Sequence, residues 1–199
     1  MDKVKAARSL IQEALAQSQN PCFTCSFQAE DVVVLHLLLK ERPEIPVLFL
    51  DTGYHFPEVY AYRDELQKRL GFRLVNLTPA LSREEQESLY GKLYETDPGR
   101  CCALRKVEPL FAALEAHDTW FTGLRREQSP TRRNLEPQEE ARLPSGHRLK
   151  KVNPLYDWTL KEVFAGRVLL EVDCPRVLEA QESLEREVEA LEVSVFGSR

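Results

Sequence analysis

Apolar residues along this chain follow two spacings in turn, and the alternation predicts strands connected by helices. Residues 3–18 carry apolar side chains at helical spacing and predict an amphipathic first helix. Apolar or β-prone runs then recur, each followed by a stretch of helical spacing. The predicted strands are residues 22–27, 45–50, 72–77, 119–122 and 149–155. Five helices are predicted between and after these strands. The first ends at residue 41, the second covers residues 57–70, and the third begins at residue 82 and is followed by a loop that reaches residue 100. The fourth covers residues 101–117, and the fifth begins at residue 157.

Five strands that alternate with helices predict an α/β fold, with a parallel five-stranded sheet and helices on both faces. The continuous apolar run of residues 45–50 is typical of a strand buried on both sides in such a sheet. The polar residues 134–147 predict a surface loop. In this architecture ligands bind at the carboxyl ends of the strands, and Asp51, Thr52 and Gly53 occupy such a position.

The turn after the first strand is a candidate anion site. Ser26, Phe27 and Gln28 precede an apolar helical pattern that has Glu30 and Asp31 in its first turn. The first amides of a helix have no partners within it, and the helix dipole is positive at that end. The turn is therefore suited to hold a phosphate or a sulfate. The alternative is an ordinary strand-to-helix corner in which Ser26 only caps the helix.

The chain concentrates positive charge in one short stretch after the fourth predicted strand. Residues 125–133, here called the arginine segment, hold Arg125, Arg126, Arg132 and Arg133 in a chain whose net charge is −5. Guanidinium groups make bidentate hydrogen bonds to phosphate or sulfate oxygens. The segment therefore predicts an oxyanion ligand, and the alternative is a solvated basic loop.

Composition restricts the class of protein. A chain of 199 residues that is 43% apolar and 30% charged is predicted to be soluble and globular, and its negative net charge argues against general nucleic-acid binding. Residues 1–8 lack a signal-peptide core, and the longest apolar run, residues 32–39, is too short to cross a bilayer. A cytoplasmic protein without a membrane partner is expected. Its five cysteines are expected to be thiols or metal ligands.

Five motifs follow one another in order along the chain. They are CSFQAED at 25–31, LDTGYHFPE at 50–58, CCALRKVEPL at 101–110, WFTGLRREQSPTR at 120–132 and VNPLYDW at 152–158. With these motifs the chain resembles the phosphoadenylyl- and adenylyl-sulfate reductase family of assimilatory sulfate reduction, over about residues 20–165. The resemblance implies an adenine-nucleotide α-hydrolase-like fold. It implies reduction of adenylyl sulfate or phosphoadenylyl sulfate to sulfite and AMP or adenosine 3′,5′-bisphosphate, with thioredoxin or glutaredoxin as partner.

The same resemblance implies a set of substrate-binding residues at three places. The altered pyrophosphate loop comprises Ser26, Phe27, Gln28 and Asp31. The adenosine site comprises Leu50, Asp51, Thr52 and Gly53, and the phosphosulfate faces Arg125, Arg126, Gln128 and Arg132. Gln28 stands where many members have glycine, which implies a different approach of the backbone to the anion.

The resemblance also implies a [4Fe-4S] cluster, although the ligand set is incomplete. In the adenylyl-sulfate branch a Cys-Cys pair and a later Cys-x-x-Cys hold the cluster through four thiolates. Cys101 and Cys102 match the first half, but the only cysteine after residue 158 is Cys174. Cys22 and Cys25 lie three apart on a predicted strand, so they point to opposite faces and are expected to be small buried residues.

The family's catalytic cysteine lies in a C-terminal Glu-Cys-Gly motif, which residues 195–199 do not contain. Residues 1–165 are predicted to form the nucleotide-binding domain, and residues 166–199 an atypical tail with a helical pattern. A frameshift, a truncation or a natural divergence would each explain the tail, so no catalytic residue is assigned and slow turnover is expected.

One alternative is a non-catalytic adenine-nucleotide-binding homologue. An ATP-dependent adenylating enzyme is disfavoured because the first turn lacks paired glycines. The oligomeric state is not predicted.

Overall fold

The computed structural model describes residues 3–169, which form an α/β unit with a six-stranded sheet. The strands are β1 Pro21–Thr24, β2 Pro46–Leu50, β3 Arg73–Leu77, β4 Thr119–Phe121, β5 Gln138–Arg142 and β6 Arg148–Val152. Their order across the sheet is β3-β2-β1-β4-β6-β5. All neighbours are parallel except β5 and β6. The predicted α/β class and the parallel central sheet are confirmed.

Eight α-helices surround the sheet in the described part of the chain. They are α1 Lys3–Ala16, α2 Ala29–Glu41, α3 Pro57–Leu70, α4 Arg83–Tyr90, α5 Leu93–Thr96, α6 Pro98–Cys102, α7 Glu108–Leu114 and α8 Leu160–Leu169. One hydrophobic cluster joins α1, α2 and α8 to one face of the sheet, and a smaller cluster joins α7 to the other face. Phe23 belongs to the first cluster and Cys22 to the second, as expected from side chains that alternate along a strand. Helices therefore cover both faces, as predicted.

The prediction of five strands is wrong, because the stretch predicted as a loop contains β5. Its sequence, QEEAR, shows no hydrophobic pattern, and β5 is an edge strand that pairs only with β6. A tight turn joins the two strands, with Gly146 at φ 95°. Cross-strand pairs of Glu140 with Arg148 and of Glu139 with Lys151 place opposite charges side by side. Charges on an edge strand are common because they discourage pairing with other chains.

The cysteine pair lies within a helical run that begins earlier than predicted. The run starts at Pro98, where the Asp97 side chain accepts a hydrogen bond from the amide of Arg100 at 3.0 Å. Between α6 and α7 residues 103–107 form a π-helical turn. Pro109 has no N–H for the helical ladder, and its ring disturbs the carbonyl four residues earlier, which explains the wider turn.

The sheet places the three predicted loops at one edge. Strands β2, β1 and β4 are parallel neighbours, so the residues that follow them leave the sheet on the same side. The turn after β1, the loop after β2 and the arginine segment after β4 therefore share the carboxyl edge, which is where ligands bind in such sheets. This part of the sequence prediction is confirmed.

Helix α8 continues across residue 165, where the sequence divided the chain into domain and tail. The rest of the tail, including Cys174 and the predicted helix, lies outside the described residues. The domain boundary therefore stays a prediction. Within residues 3–169 no helix has the length and apolar character needed to span a membrane.

We expect Asp118→Ala to destabilise the fold by about 2 kcal/mol or more, because its carboxylate ties the segment between α1 and β1 to the start of β4. Asp118 accepts hydrogen bonds from the Ser18 hydroxyl and from the amides of Gln19 at 2.8 Å and Asn20 at 3.0 Å. Urea unfolding measures the loss. The exposed Asp64→Ala is the control, and equal midpoints for the two variants would contradict this role for Asp118.

Candidate functional site

The turn between β1 and α2 carries the backbone strain of the site. Phe27 has a φ of 64°, the one positive φ of a non-glycine residue in the described part of the chain. Its ring is buried against Phe49, Phe72 and Tyr62, with centroid distances of 5.6, 6.0 and 6.5 Å. This burial of a large aromatic ring offsets the cost of the left-handed conformation. Gln28, for which the resemblance implies glycine in many members, has an ordinary φ of −68°.

Asp31 turns back from the first turn of α2 and occupies part of the predicted anion loop. Its Oδ2 accepts hydrogen bonds from the backbone amide and the hydroxyl of Ser26, each at 2.6 Å. The amide of Gly123, just after β4, also donates to this carboxylate. A Cβ added to Gly123 would lie 2.0 Å from Asp31 Oδ1, so only glycine fits there. Ser26 lies two residues before the helix N-cap, Gln28, and the alternative that Ser26 caps α2 is wrong.

Burial of Asp31 raises the pKa of its carboxyl group to about 6, against the opposing effect of the hydrogen bonds from Ser26. The charged carboxylate is therefore held at a cost in the folded protein at neutral pH. The carboxylate joins Ser26, in the turn between β1 and α2, to Gly123 after β4. The protein thus supplies a negative charge of its own at the candidate site.

The loop after β2 is fixed by hydrogen bonds within it and by one aromatic hydroxyl. Asp51 Oδ1 accepts hydrogen bonds from the amide of Gly53 at 3.1 Å and from the Tyr60 hydroxyl at 2.6 Å. The Thr52 hydroxyl accepts from the amide of Tyr54 at 3.2 Å. Leu50 contributes its carbonyl oxygen, which lies 2.8 Å from a ring nitrogen of His55. The residues predicted to line the adenosine site thus form one rigid loop.

Arg105 was not predicted as a site residue, and its side chain stabilises the loop after β2. It is 3% exposed, and its Nε donates to the carbonyl of Thr52. Its Nη1 donates to the carbonyl of Leu81 at 3.2 Å and to Gln86 Oε1 at 3.1 Å. A Cβ on Gly53 would lie 3.1 Å from the guanidinium. The sequence did contain a signal for this residue, because Pro109 four positions later marks the disturbed helical turn in which Arg105 lies.

The first residue of the arginine segment, Arg125, is buried rather than solvated. Arg125 is 5% exposed, and its Nη1 donates to Glu127 at 3.0 Å and to the carbonyl of Trp158 at 3.4 Å. Arg126 is partly exposed, stacks on Tyr156 at 4.8 Å and donates to the carbonyl of Leu135. The segment is therefore anchored to the residues that follow β6, and its alternative as a solvated loop is wrong here.

Gln128 links the arginine segment to α2. Its Nε2 donates to the buried carboxylate of Glu30, and its Oε1 accepts from Arg132 Nη1. The same Oε1 also accepts a hydrogen bond from the backbone amide of Arg125 at 3.0 Å. Glu30 was not predicted as a site residue, although it stands next to Asp31 in the sequence. The structure thus links the segments after β1 and β4 through Glu30 and Gly123, neither of which was predicted as a site residue.

The cysteines of the described region do not by themselves fit a four-thiolate cluster. Cys101 is half-buried and Cys102 is exposed, both in α6. Cys22 in β1 and Cys25 just after it are buried in the clusters on opposite faces of the sheet, as predicted, and burial raises the pKa of both thiols. Within residues 3–169 no three His, Cys, Asp or Glu side chains form a group that could hold a metal ion. We therefore derive no chemical step through a cluster.

Comparison with protein families identifies the fold and its motifs. The model of the phosphoadenosine phosphosulfate reductase domain matches residues 20–173, which is most of the chain. The chain belongs to this family. The matched range contains the first turn, the loop after β2, the cysteine pair and the arginine segment of this reductase domain. The family resemblance predicted from the five motifs is confirmed.

Curated relatives of the reductase domain carry the name adenosine 5′-phosphosulfate reductase. The protein of Shouchella clausii is 44% identical over 146 residues, which cover 71% of this chain and 58% of that protein. The protein of Bacillus cytotoxicus is 39% identical over 168 residues, covering 82% of this chain and 70% of that protein. The chain thus spans about 60% of the length of several of these relatives.

Solved structures confirm the fold of the reductase domain. Phosphoadenylyl-sulfate reductase from Candida auris superposes with a TM-score of 0.72 at 23% identity, covering 88% of this chain and 85% of the other. The NH3-dependent NAD synthetase from Campylobacter jejuni superposes with a TM-score of 0.55 at 14% identity, covering 98% and 88%. These likenesses concern the fold, which agrees with the predicted adenine-nucleotide α-hydrolase-like class.

The raised pKa of Asp31 predicts a pH dependence of stability. A carboxyl group that is more basic in the folded than in the unfolded state favours folding at low pH, and this contribution is lost as pH rises through about 6. Wild type should therefore gain up to about 3 kcal/mol relative to Asp31→Asn between pH 7 and pH 4. Urea unfolding across this range measures the difference. Asp64→Asn is the control, and parallel curves for wild type and Asp31→Asn would contradict the assignment.

We expect Arg105→Lys to destabilise the domain by about 2–4 kcal/mol, because an ammonium group cannot reach the same set of carbonyl oxygens. Hydrogen exchange should also become faster at the amide of Tyr54, in the loop that Arg105 holds. The matched control is Arg100→Lys, on the exposed side of the same helical run. An unchanged Tyr54 amide in a folded Arg105→Lys protein would show that the loop is held by its own hydrogen bonds.

Proposed function

We propose that this chain is the nucleotide-binding domain of an adenylyl-sulfate reductase of sulfate assimilation in the cytoplasm. The observation that carries the proposal is the arrangement of three family motifs at the carboxyl ends of the strands. Asp31 joins the turn after β1 to Gly123, and Gln128 joins the arginine segment to Glu30 of α2. In such sheets this edge binds ligands. Membership of the reductase family supports the reaction class, since its relatives carry that name.

Charge at the site supports an oxyanion as the ligand. Arg126 and Arg132 are partly exposed, and both belong to the predicted phosphosulfate site. Arg126 is held by the Leu135 carbonyl and by Tyr156, and Arg132 by Gln128. Guanidinium groups that are already oriented lose less side-chain freedom when they bind an anion. Ser26, Phe27 and Gln28 would face the phosphate from the opposite side, at the start of α2.

The names of the relatives favour adenylyl sulfate as the substrate, and the Cys101–Cys102 pair agrees with that branch of the family. Leu50, Asp51, Thr52 and Gly53 would hold the adenosine. Phosphoadenylyl sulfate is the competing substrate, and comparison of the two in one binding assay distinguishes them.

In the proposed reaction a cysteine thiolate attacks the sulfur of the sulfate group and displaces AMP, forming an S-sulfocysteine. A dithiol protein, thioredoxin or glutaredoxin, then attacks this adduct, releases sulfite and becomes a disulfide. The attacking thiolate is not assigned. Burial keeps Cys22 and Cys25 protonated, which disfavours them. If the chain binds adenylyl sulfate without turnover, the non-catalytic nucleotide-binding alternative is the function.

We expect adenylyl sulfate to bind this chain, and Arg126→Ala or Arg132→Ala to weaken binding by about 1.5–3 kcal/mol each, because a charged hydrogen bond is lost. Calorimetry measures affinity, and sulfite release with reduced thioredoxin measures turnover. Arg142→Ala, on the exposed edge strand β5, should bind as wild type does. Wild-type affinity in both arginine variants would remove the arginine segment from the site, and absence of binding to wild type would reject the proposal.

A further inference from the structure

One carboxylate oxygen joins the arginine segment to the start of α8. Oε2 of Glu127 accepts a hydrogen bond from Arg125 Nη1 at 3.0 Å and another from the backbone amide of Leu160 at 2.6 Å. Leu160 is the first residue of α8, so its amide has no partner within the helix. Glu127, in the arginine segment, therefore supplies the hydrogen-bond acceptor for the amide of Leu160.

The start of α8 also has a local capping pair, and Glu162 of that pair lies 3.9 Å from Lys3 Nζ of α1. Thr159 and Glu162 form a reciprocal capping pair, in which the Thr159 amide donates to Glu162 Oε2 at 2.7 Å and the Glu162 amide donates to the Thr159 hydroxyl at 3.2 Å. This pair does not include the amide of Leu160. The bond from Glu127 thus connects the arginine segment to the first residue of α8, and the bond from Arg125 to the Trp158 carbonyl connects it to the residues just before α8.

Arg125 has donor capacity that its partners in the described region do not use. A guanidinium group presents five N–H donors. Nη1 of Arg125 is occupied by Glu127 and by the Trp158 carbonyl, whereas Nε is buried and has no hydrogen-bond partner among residues 3–169. Glu127 is also the only acidic side chain within ion-pair distance of Arg125 in that range. The buried arginine is therefore positioned by Glu127, and its Nε has no partner among the described residues.

We propose that Glu127 is a positioning residue that couples Arg125 to the first turn of α8. An oxyanion that binds Arg125 then stabilises α8 through the carboxylate of Glu127. Loss of Arg125 weakens the first turn of α8, although Arg125 itself makes no hydrogen bond to Leu160. The inference rests on the proposed function only for the identity of the oxyanion.

The first experiment needs no ligand and measures amide hydrogen exchange at Leu160 in the full chain. We expect about ten-fold faster exchange in Arg125→Ala, at least as much in Glu127→Ala, and no further increase in the double variant. Glu127→Gln, which keeps an oxygen acceptor, should restore part of the protection. Arg133→Ala, an exposed arginine of the same segment, should exchange as wild type does.

Protection of the amides in β1 and β2 reports whether each variant is folded, and Arg125→Lys replaces Arg125→Ala if the latter is not. An unchanged Leu160 amide in the folded arginine variant, or effects of the two substitutions that simply add, would overturn the coupling.

The second experiment adds adenylyl sulfate. In wild type the ligand should slow amide exchange at residues 26–28, in the turn after β1, and at Leu160. In Glu127→Ala the ligand should still slow exchange at residues 26–28 but not at Leu160. A Leu160 response that persists in Glu127→Ala would overturn the coupling. If wild type shows no response at any amide, the proposed function fails, and the ligand-free experiment still decides whether Glu127 couples the two elements.

Discussion

The buried carboxylate of Asp31 is the contact on which the geometry of the candidate site depends. It accepts hydrogen bonds from Ser26 in the first turn and from Gly123 after β4, so it holds together two loops that are almost a hundred residues apart in the sequence. The close approach leaves no space for a Cβ at Gly123. Burial of this charge is costly, and in return it fixes the relative position of two loops of the candidate site.

Each loop at the carboxyl edge is held by a different buried polar group. Asp31 holds the turn after β1, Arg105 holds the loop after β2, and Arg125 anchors the arginine segment to the residues that follow β6. All three side chains are buried, at 8%, 3% and 5% exposure. A site supported in this way is largely formed before its ligand arrives, which lowers the entropic cost of binding.

The cysteines divide into two kinds that suit different roles. Cys22 and Cys25 belong to the hydrophobic core on the two faces of the sheet, and burial raises the pKa of their thiols. Cys101 is half-buried and Cys102 is exposed, in the helical run that also contains Arg105. Cys101 interacts electrostatically with Tyr54, so this pair lies near the loop after β2, whereas the core pair serves packing.

Local patterns in the sequence determined strands β1 to β4, strand β6, the main helices and the family. Hydrophobic periodicity shows which residues of one element are buried, and short motifs identify the family. Strand β5 could not be predicted, because its charged sequence becomes a strand only through pairing with β6. The tertiary structure alone decided the roles of Asp31 and Arg105. Arg105 contacts a carbonyl 53 positions away, and no pattern along one element reports such a distant partner.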